Sequence, residues 1–168
     1  MILRKAQPED RDDMLEIVSH GQASLKAMGV NQWQNNYPNS DVIQRDIEKG
    51  YAYVLTENDT VIAMSTVIFN DEPTYERIYE GEWLSRGEFV VVHRIAVNNR
   101  FRNKGIASYL LGEIEKMVIQ AKIPSIKIDT HKDNLPMRKV LEKSGYIYCG
   151  RIVLLDGHSR VAYEKLLK

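Results

Sequence analysis

The sequence has few of the residues that build covalent staples or metal cages. Cys149 is the single cysteine in 168 residues, which excludes an internal disulfide and a cysteine-built metal site. The four histidines, at 20, 93, 131 and 158, fall at no ligand spacing such as H-x-x-x-H, so no metal is expected. No apolar run approaches the about 18 residues of a membrane-crossing helix. The start, MILRKAQPEDRDD, has no signal-peptide apolar core, so a cytoplasmic protein without a membrane partner is expected. Charge of one sign is missing too. With 23 acidic and 23 basic residues the formal net charge is zero, and no global field favours nucleic acid. No repeat, low-complexity tract or linker interrupts the chain, and one domain over residues 1–168 is the expectation.

What is present centres on Glu88 to Glu113, EFVVVHRIAVNNRFRNKGIASYLLGE. EFVVVHRIAV is rich in Val and Ile and reads as a strand buried over most of its length. NNRFRNKG carries three cations, three Asn and a Gly, as a turn would. Helical spacing then resumes, with Ile106, Leu110, Ile114, Met117 and Val118 on or near one face. Unpaired amides at a helix start after Gly105, beside Arg100, Arg102 and Lys104, would hold a phosphate or pyrophosphate.

Around that unit the remaining elements alternate. ILRKA reads as a first strand, and Asp10 opens a helix with Met14, Ile17 and Val18 on one stripe; Gly21 and Ser24 weaken its continuation. VIQRDIEKG is a second helix, capped by Asn39, Ser40 or Asp41 and ended by Gly50. A hairpin turns at Glu57-Asn58-Asp59. Residues 70–87 resist reading, with a short helix at Thr74 to Tyr79 as the expectation. IPSIKIDT is a strand with Ile126 and Ile128 on one face and Lys127, Asp129 and His131 on the other. LPMRKVLEKSG is a helix capped at Asp133 or Asn134, and two final strands join through Asp156-Gly157. The pattern implies a mixed α/β sheet with helices on both faces.

Two segments also resemble a known family. Arg102-Asn103-Lys104-Gly105-Ile106-Ala107 resembles the Arg/Gln-x-x-Gly-x-Gly/Ala signature of the GNAT superfamily of N-acetyltransferases, with HRIAV in the place of its preceding strand. Asp129 to Tyr146, DTHKDNLPMRKVLEKSGY, is similar to the family's next strand and helix, with Asn134 and Gly145-Tyr146 in frame. The first seventy residues resemble the family only through element order. The resemblance implies an acyl-CoA N-acyltransferase fold with a mostly antiparallel mixed sheet. It also implies acetyl-CoA as co-substrate, held by backbone groups of Ile95, Ala96 and Val97. Asn103, Lys104, Gly105, Ile106, Ala107 and Ser108 would take the pyrophosphate, with Arg102 beside them and Asn134 further along the pantetheine arm.

Acetyl transfer needs an amine that has lost a proton, and the departing thiol, titrating near ~8.5, leaves with little help. Bacterial GNAT enzymes that acetylate protein N-termini use a Glu five residues before the Asn as base, and Asp129 stands there. Their proton-donating Tyr, seven residues after the Asn, is Leu141 in this chain, which leaves Tyr146, Tyr148 or water as the donor, or unassisted departure. Asp129 with His131 is expected as the catalytic pair; Glu82 and Glu88 are further candidate bases, and His93 is expected to be buried support. Trp33, Tyr37 and Trp83, with Tyr79, are expected to line an acceptor pocket. An aromatic pocket and balanced charge favour a small-molecule primary amine. Protein N-termini and a non-catalytic CoA-thioester-binding module are the alternatives, in a monomer or homodimer.

Overall fold

The computed structural model describes all 168 residues as a mixed α/β protein. The strands are β1 (Ile2–Lys5), β2 (Ala52–Glu57), β3 (Thr60–Phe69), β4 (Val90–Val97), β5 (Ser125–Thr130), β6 (Ile147–Val153) and β7 (Ser159–Leu166). The helices are α1 (Arg11–Ala27), α2 (Ser40–Glu48), α3 (Ile106–Gln120) and α4 (Leu135–Lys143). One seven-stranded sheet runs β1-β2-β3-β4-β5-β7-β6. The pairs β1–β2, β2–β3, β5–β7 and β6–β7 are antiparallel, and β4–β5 is parallel. No helix is long and apolar enough to cross a membrane.

The chain divides into two compact units. The first comprises Met1–Val67 and Arg94–Leu110. Its core sets Met14, Ile17 and Val18 of α1 and Ile43 and Ile47 of α2 against Ala52, Val54, Val61, Met64 and Ala96. Each Val, Ile or Met among them, when fully buried, contributes about 1.5–3 kcal/mol. Residues 52–56 of β2 are all buried, so both faces of that strand are covered. The helix α1 passes through Gly21 and Ser24 without interruption, where the sequence alone suggests weakening. Packing explains this. A Cβ at Gly21 would lie 2.8 Å from the Trp33 ring, so the glycine is the space that lets an indole lie against the helix. The α2 cap is Asn39, whose Oδ1 accepts from the Val42 amide at 3.1 Å. At the β2–β3 hairpin, Asn58 and Asp59 take φ of 47° and 62°, the left-handed pair that a two-residue turn requires.

The second unit comprises Ile68–His93 and Leu111–Lys168. Tyr75, Val91, Ile152 and Ala162 form one core cluster, with Ile78, Trp83, Phe89 and Leu154 against it. The β4–β5 register covers two positions, Val90↔Ile126 and Val91↔Lys127. Along β4, Val90, Val91, Val92 and Ala96 are buried, whereas His93, Arg94, Ile95 and Val97 are half-buried, less than a continuous apolar run implies. The expected helix from Thr74 to Tyr79 is instead a 3-10 turn at Pro73–Tyr75, after which Tyr79 exchanges backbone hydrogen bonds with Arg151 at 2.8 Å. Pro73 fixes the start of the turn, and strand-like pairing captures the rest. The fully buried Glu164 ties this irregular stretch down: it accepts the Leu84 amide at 2.6 Å, the Ser85 amide at 3.3 Å, the Ser85 hydroxyl, and the Ser125 hydroxyl at 2.6 Å.

Candidate active site

In the first unit the cationic loop follows β4. Asn98 shapes it by accepting the Arg100 amide at its Oδ1 (3.0 Å) and the Phe101 amide at its backbone oxygen (2.9 Å). The loop is tied to α1, whose His20 accepts the Asn99 amide at Nδ1 (3.3 Å) and an Arg102 guanidinium hydrogen at its carbonyl (3.4 Å). Arg102, Asn103, Lys104 and Gly105 are all exposed. Asn103 and Gly105 have φ of 59° and 72°, and α3 begins at the next residue, Ile106. Left-handed backbone there turns the chain sharply into the helix, and the amides of Ile106, Ala107 and Ser108 have no partner one turn earlier in a helix. A Cβ at Gly105 would meet nothing within 4 Å, so its requirement is conformational rather than steric. Ile106 is buried, whereas Ala107 and Ser108 are half-buried.

Two of the expected acceptor residues also lie in this unit. Tyr37 is partly exposed, and its hydroxyl accepts from Arg94 Nη1 at 2.8 Å. Trp33 packs on the core beside α1. Trp83 lies in the second unit. Its Nε1 donates to the Tyr75 carbonyl at 2.8 Å, its ring tilts against Tyr75 at 5.2 Å, and the Lys127 ammonium sits 4.5 Å from its centroid.

Asp129 lies half-buried near the end of β5 in the second unit. The Tyr75 hydroxyl donates to its Oδ2 at 2.6 Å. Tyr75 is buried, and burial first, then the Asp129 and Glu72 charges, push its phenol well above the ordinary value, so it stays a donor. The imidazole beside Asp129 belongs to His93, not to His131: His93 Nδ1 lies 3.8 Å from Asp129 Oδ2. His131 lies past the strand end, where its Nδ1 accepts the Asp133 amide at 3.1 Å. Burial, then the Arg160 cation, hold the His131 imidazole below its ordinary value, which favours its neutral form. The face alternation of β5 stops at Thr130, which is why the expected pair does not form.

His93 is half-buried and is itself held in place. Its Nε2 meets Glu72 Oε2 at 2.7 Å, and Glu72 Oε1 accepts the Thr74 hydroxyl at 2.6 Å. Burial pushes the Glu72 carboxyl up, but the His93 and Thr74 hydrogen bonds outweigh it and hold that carboxyl below its usual range. Glu72 was missed in the sequence because no spacing rule joins positions 72, 75, 93 and 129. Glu82 and Glu88 are exposed. Asn134 caps α4, accepting the Met137 amide at 3.3 Å, and Leu141 is fully buried. Of the tyrosines considered as proton donors, Tyr146 is buried and its phenol is pushed well up by burial and by Glu115; Tyr148 is partly exposed.

Residues 22–146 match the family described as Acetyltransferase (GNAT). The chain is 23% identical over 144 residues to the uncharacterized N-acetyltransferase YesJ of Bacillus subtilis (strain 168), covering 84% of this chain and 79% of that protein. In structure it is similar to a GNAT-family acetyltransferase of Streptococcus agalactiae 2603, with a TM-score of 0.91 and 35% identity over 99% of this chain and 95% of that one. A GNAT-family acetyltransferase of Listeria monocytogenes 4b F2365 shares the fold, with a TM-score of 0.75 and 22% identity over 99% and 94% of the two chains.

Proposed function

The chain belongs to the GNAT acetyltransferase family, and on that premise we propose that it transfers the acetyl group of acetyl-CoA to the primary amine of a small molecule. The observation that carries the co-substrate assignment is the exposed loop before α3, where left-handed Asn103 and Gly105 lead into the helix amides beside Arg102 and Lys104. A pyrophosphate fits that chemistry, since backbone donors and cations answer its charge without a side chain in the way. Bound acetyl-CoA supplies an activated thioester carbonyl. Ile95, Ala96 and Val97 would offer main-chain groups to its pantetheine arm, and Ser108 and Asn134 complete the set proposed to hold it.

On the acceptor side, Asp129 attracts the cationic amine and assists its deprotonation. Leu141, buried in α4, offers no proton to the departing thiol, so no side chain at that position takes part. Trp33, Tyr37 and Trp83 are proposed to contact the acceptor. Aromatic surfaces and a zero net charge suit a small amine better than a basic protein tail.

The test is thiol release from acetyl-CoA, corrected for hydrolysis, over amines, polyamines, amino acids and short peptides. Faster turnover of a small amine than of any peptide is expected. Peptide N-termini turned over far better than every small amine would replace the acceptor class. Calorimetric binding of acetyl-CoA with no thiol release from any amine would indicate a binding module instead.

A further inference from the structure

Glu72 and Tyr75, at the cap and the end of one 3-10 turn, and Asp129 from β5 converge on the imidazole of His93 in the second unit. Glu72 Oε1 is fixed by the Thr74 hydroxyl and amide, at 2.6 and 3.3 Å, which aims Oε2 at His93 Nε2. An ionised carboxylate only accepts, so a contact of 2.7 Å requires the proton on Nε2. In the neutral ring Nδ1 then carries the lone pair. Its neighbour Asp129 Oδ2, at 3.8 Å, is beyond hydrogen-bond reach and is already engaged by the Tyr75 hydroxyl at 2.6 Å. The Tyr75 ring meets the imidazole edge-on, with centroids 6.1 Å apart. The His93 side chain keeps 19% of its surface exposed.

We propose that His93 accepts the proton of the acceptor amine at Nδ1, and that Glu72 is the positioning residue that sets its tautomer. The inference rests on the proposed acetyl transfer and names the base within it. An imidazole matches this task better than a carboxylate alone, because its basicity lies closer to that of an amine at neutral pH. Asp129 then has two roles: it draws in the ammonium and stabilises the imidazolium that replaces it.

The protons balance. The ammonium gives one proton to Nδ1, and the free amine forms its C–N bond to the thioester carbonyl carbon. The carbon–sulfur bond breaks, its electron pair leaves on sulfur, and a second nitrogen proton ends on that thiolate. His93 returns its proton to solvent. Three side chains face the imidazole: Glu72 ahead of the 3-10 turn, Tyr75 within it and Asp129 on β5.

Two measurements test this. The first is nitrogen-15 NMR of the histidine rings in the free protein between pH 5 and 9. The Nε2–H form of His93 is expected, and Glu72→Gln should redistribute it between tautomers. A neutral wild-type His93 ring with its proton on Nδ1 overturns the inference. The second is the pH profile of kcat/KM with acetyl-CoA and the amine turned over fastest in the screen above. His93→Gln should lose roughly 10²-fold or more and flatten the acidic limb, with unchanged acetyl-CoA affinity. Glu72→Gln should lose less and displace that limb, and Glu72→Asp should restore part of the rate. A His93→Gln protein with wild-type kcat/KM overturns the inference alone. Wild-type protein that releases no thiol with any amine overturns the acetyl-transfer reading as well.

Discussion

Arg94 and Asp46, 48 residues apart, form a two-pronged ion pair: Nε and Nη2 of the guanidinium donate to the two carboxylate oxygens at 2.7 and 2.8 Å. Thr66 donates to the same carboxylate at 2.8 Å. Both charged side chains are largely buried, at 12% and 7% exposure, and Arg94 holds its place with φ of 51° inside β4. Such a pair is costly to break because the surviving charge is stranded. Asp46→Ala should therefore lower unfolding stability by about 3–5 kcal/mol, measured by urea titration. Replacing both residues by apolar ones of similar size, Asp46→Leu with Arg94→Met, should recover much of that loss, since no charge remains uncompensated.

Asp129→Asn keeps the size and hydrogen bonding of the side chain and removes its negative charge. It should lower kcat/KM by roughly 10²-fold, with little change in acetyl-CoA affinity by calorimetry. Tyr75→Phe removes one hydrogen bond to the same carboxylate and leaves the charge, so its cost should be smaller. An Asp129→Asn protein at full rate would remove Asp129 from the mechanism.

Gly105→Val should weaken acetyl-CoA binding by roughly tenfold, because a β-branched residue resists φ of 72° and the loop would relax away from its helix-entry shape. Nothing crowds the position, so the fold itself should survive, with little change in melting temperature. Equal affinities for wild type and variant would mean that this backbone conformation does not serve the ligand.

Asp10 gives the protein an acid-sensitive contact. Arg4 donates to its two oxygens at 2.7 and 2.8 Å and the Gln7 amide adds a third bond at 2.7 Å. The Arg4 hydrogen bond leads in holding the Asp10 carboxyl below its ordinary value, against the opposing effect of burial. A carboxyl depressed in the folded state stabilises at pH above its unfolded value, about 3.9, and that contribution fades as pH falls through the folded value. Arg4 is 38% exposed, so solvent screening keeps the effect modest. Asp10→Asn should flatten the fall in urea midpoint between pH 5 and 2.5, and an unchanged slope would show that Asp10 does not carry it.

The regular elements and the cationic loop were legible in the sequence because each has a local cause. The β2–β3 turn needs two residues that tolerate positive φ and has Asn58 and Asp59; α4 needs a cap and has Asn134. Gly21 misleads because its purpose is visible only once Trp33 lies on it, 12 residues further along. The partners of Asp129 were illegible for a related reason. His131 is two residues away and shares the expected strand face, yet the strand ends first, and the imidazole that arrives is His93. Glu72 and Tyr75 come from a stretch with no periodicity, positioned by a proline turn and by contacts made far along the chain.

Glu164 gives that last point a practical edge. Its carboxylate, on β7, holds the amides of Leu84 and Ser85; the adjoining Trp83 donates to the Tyr75 carbonyl, and the Tyr75 hydroxyl holds Asp129. The placement of a partly exposed carboxylate is thus inherited from a fully buried one through backbone amides, an indole and a phenol. In a library of random variants screened for turnover, lesions at Glu164 would masquerade as active-site lesions. The exposed side chain at 84 would tolerate broad replacement, because Leu84 is held by its amide, whereas Ser85 also gives its hydroxyl to Glu164. Directed evolution of acceptor preference therefore has freedom at Leu84, less at Ser85 and almost none at the residue that anchors them.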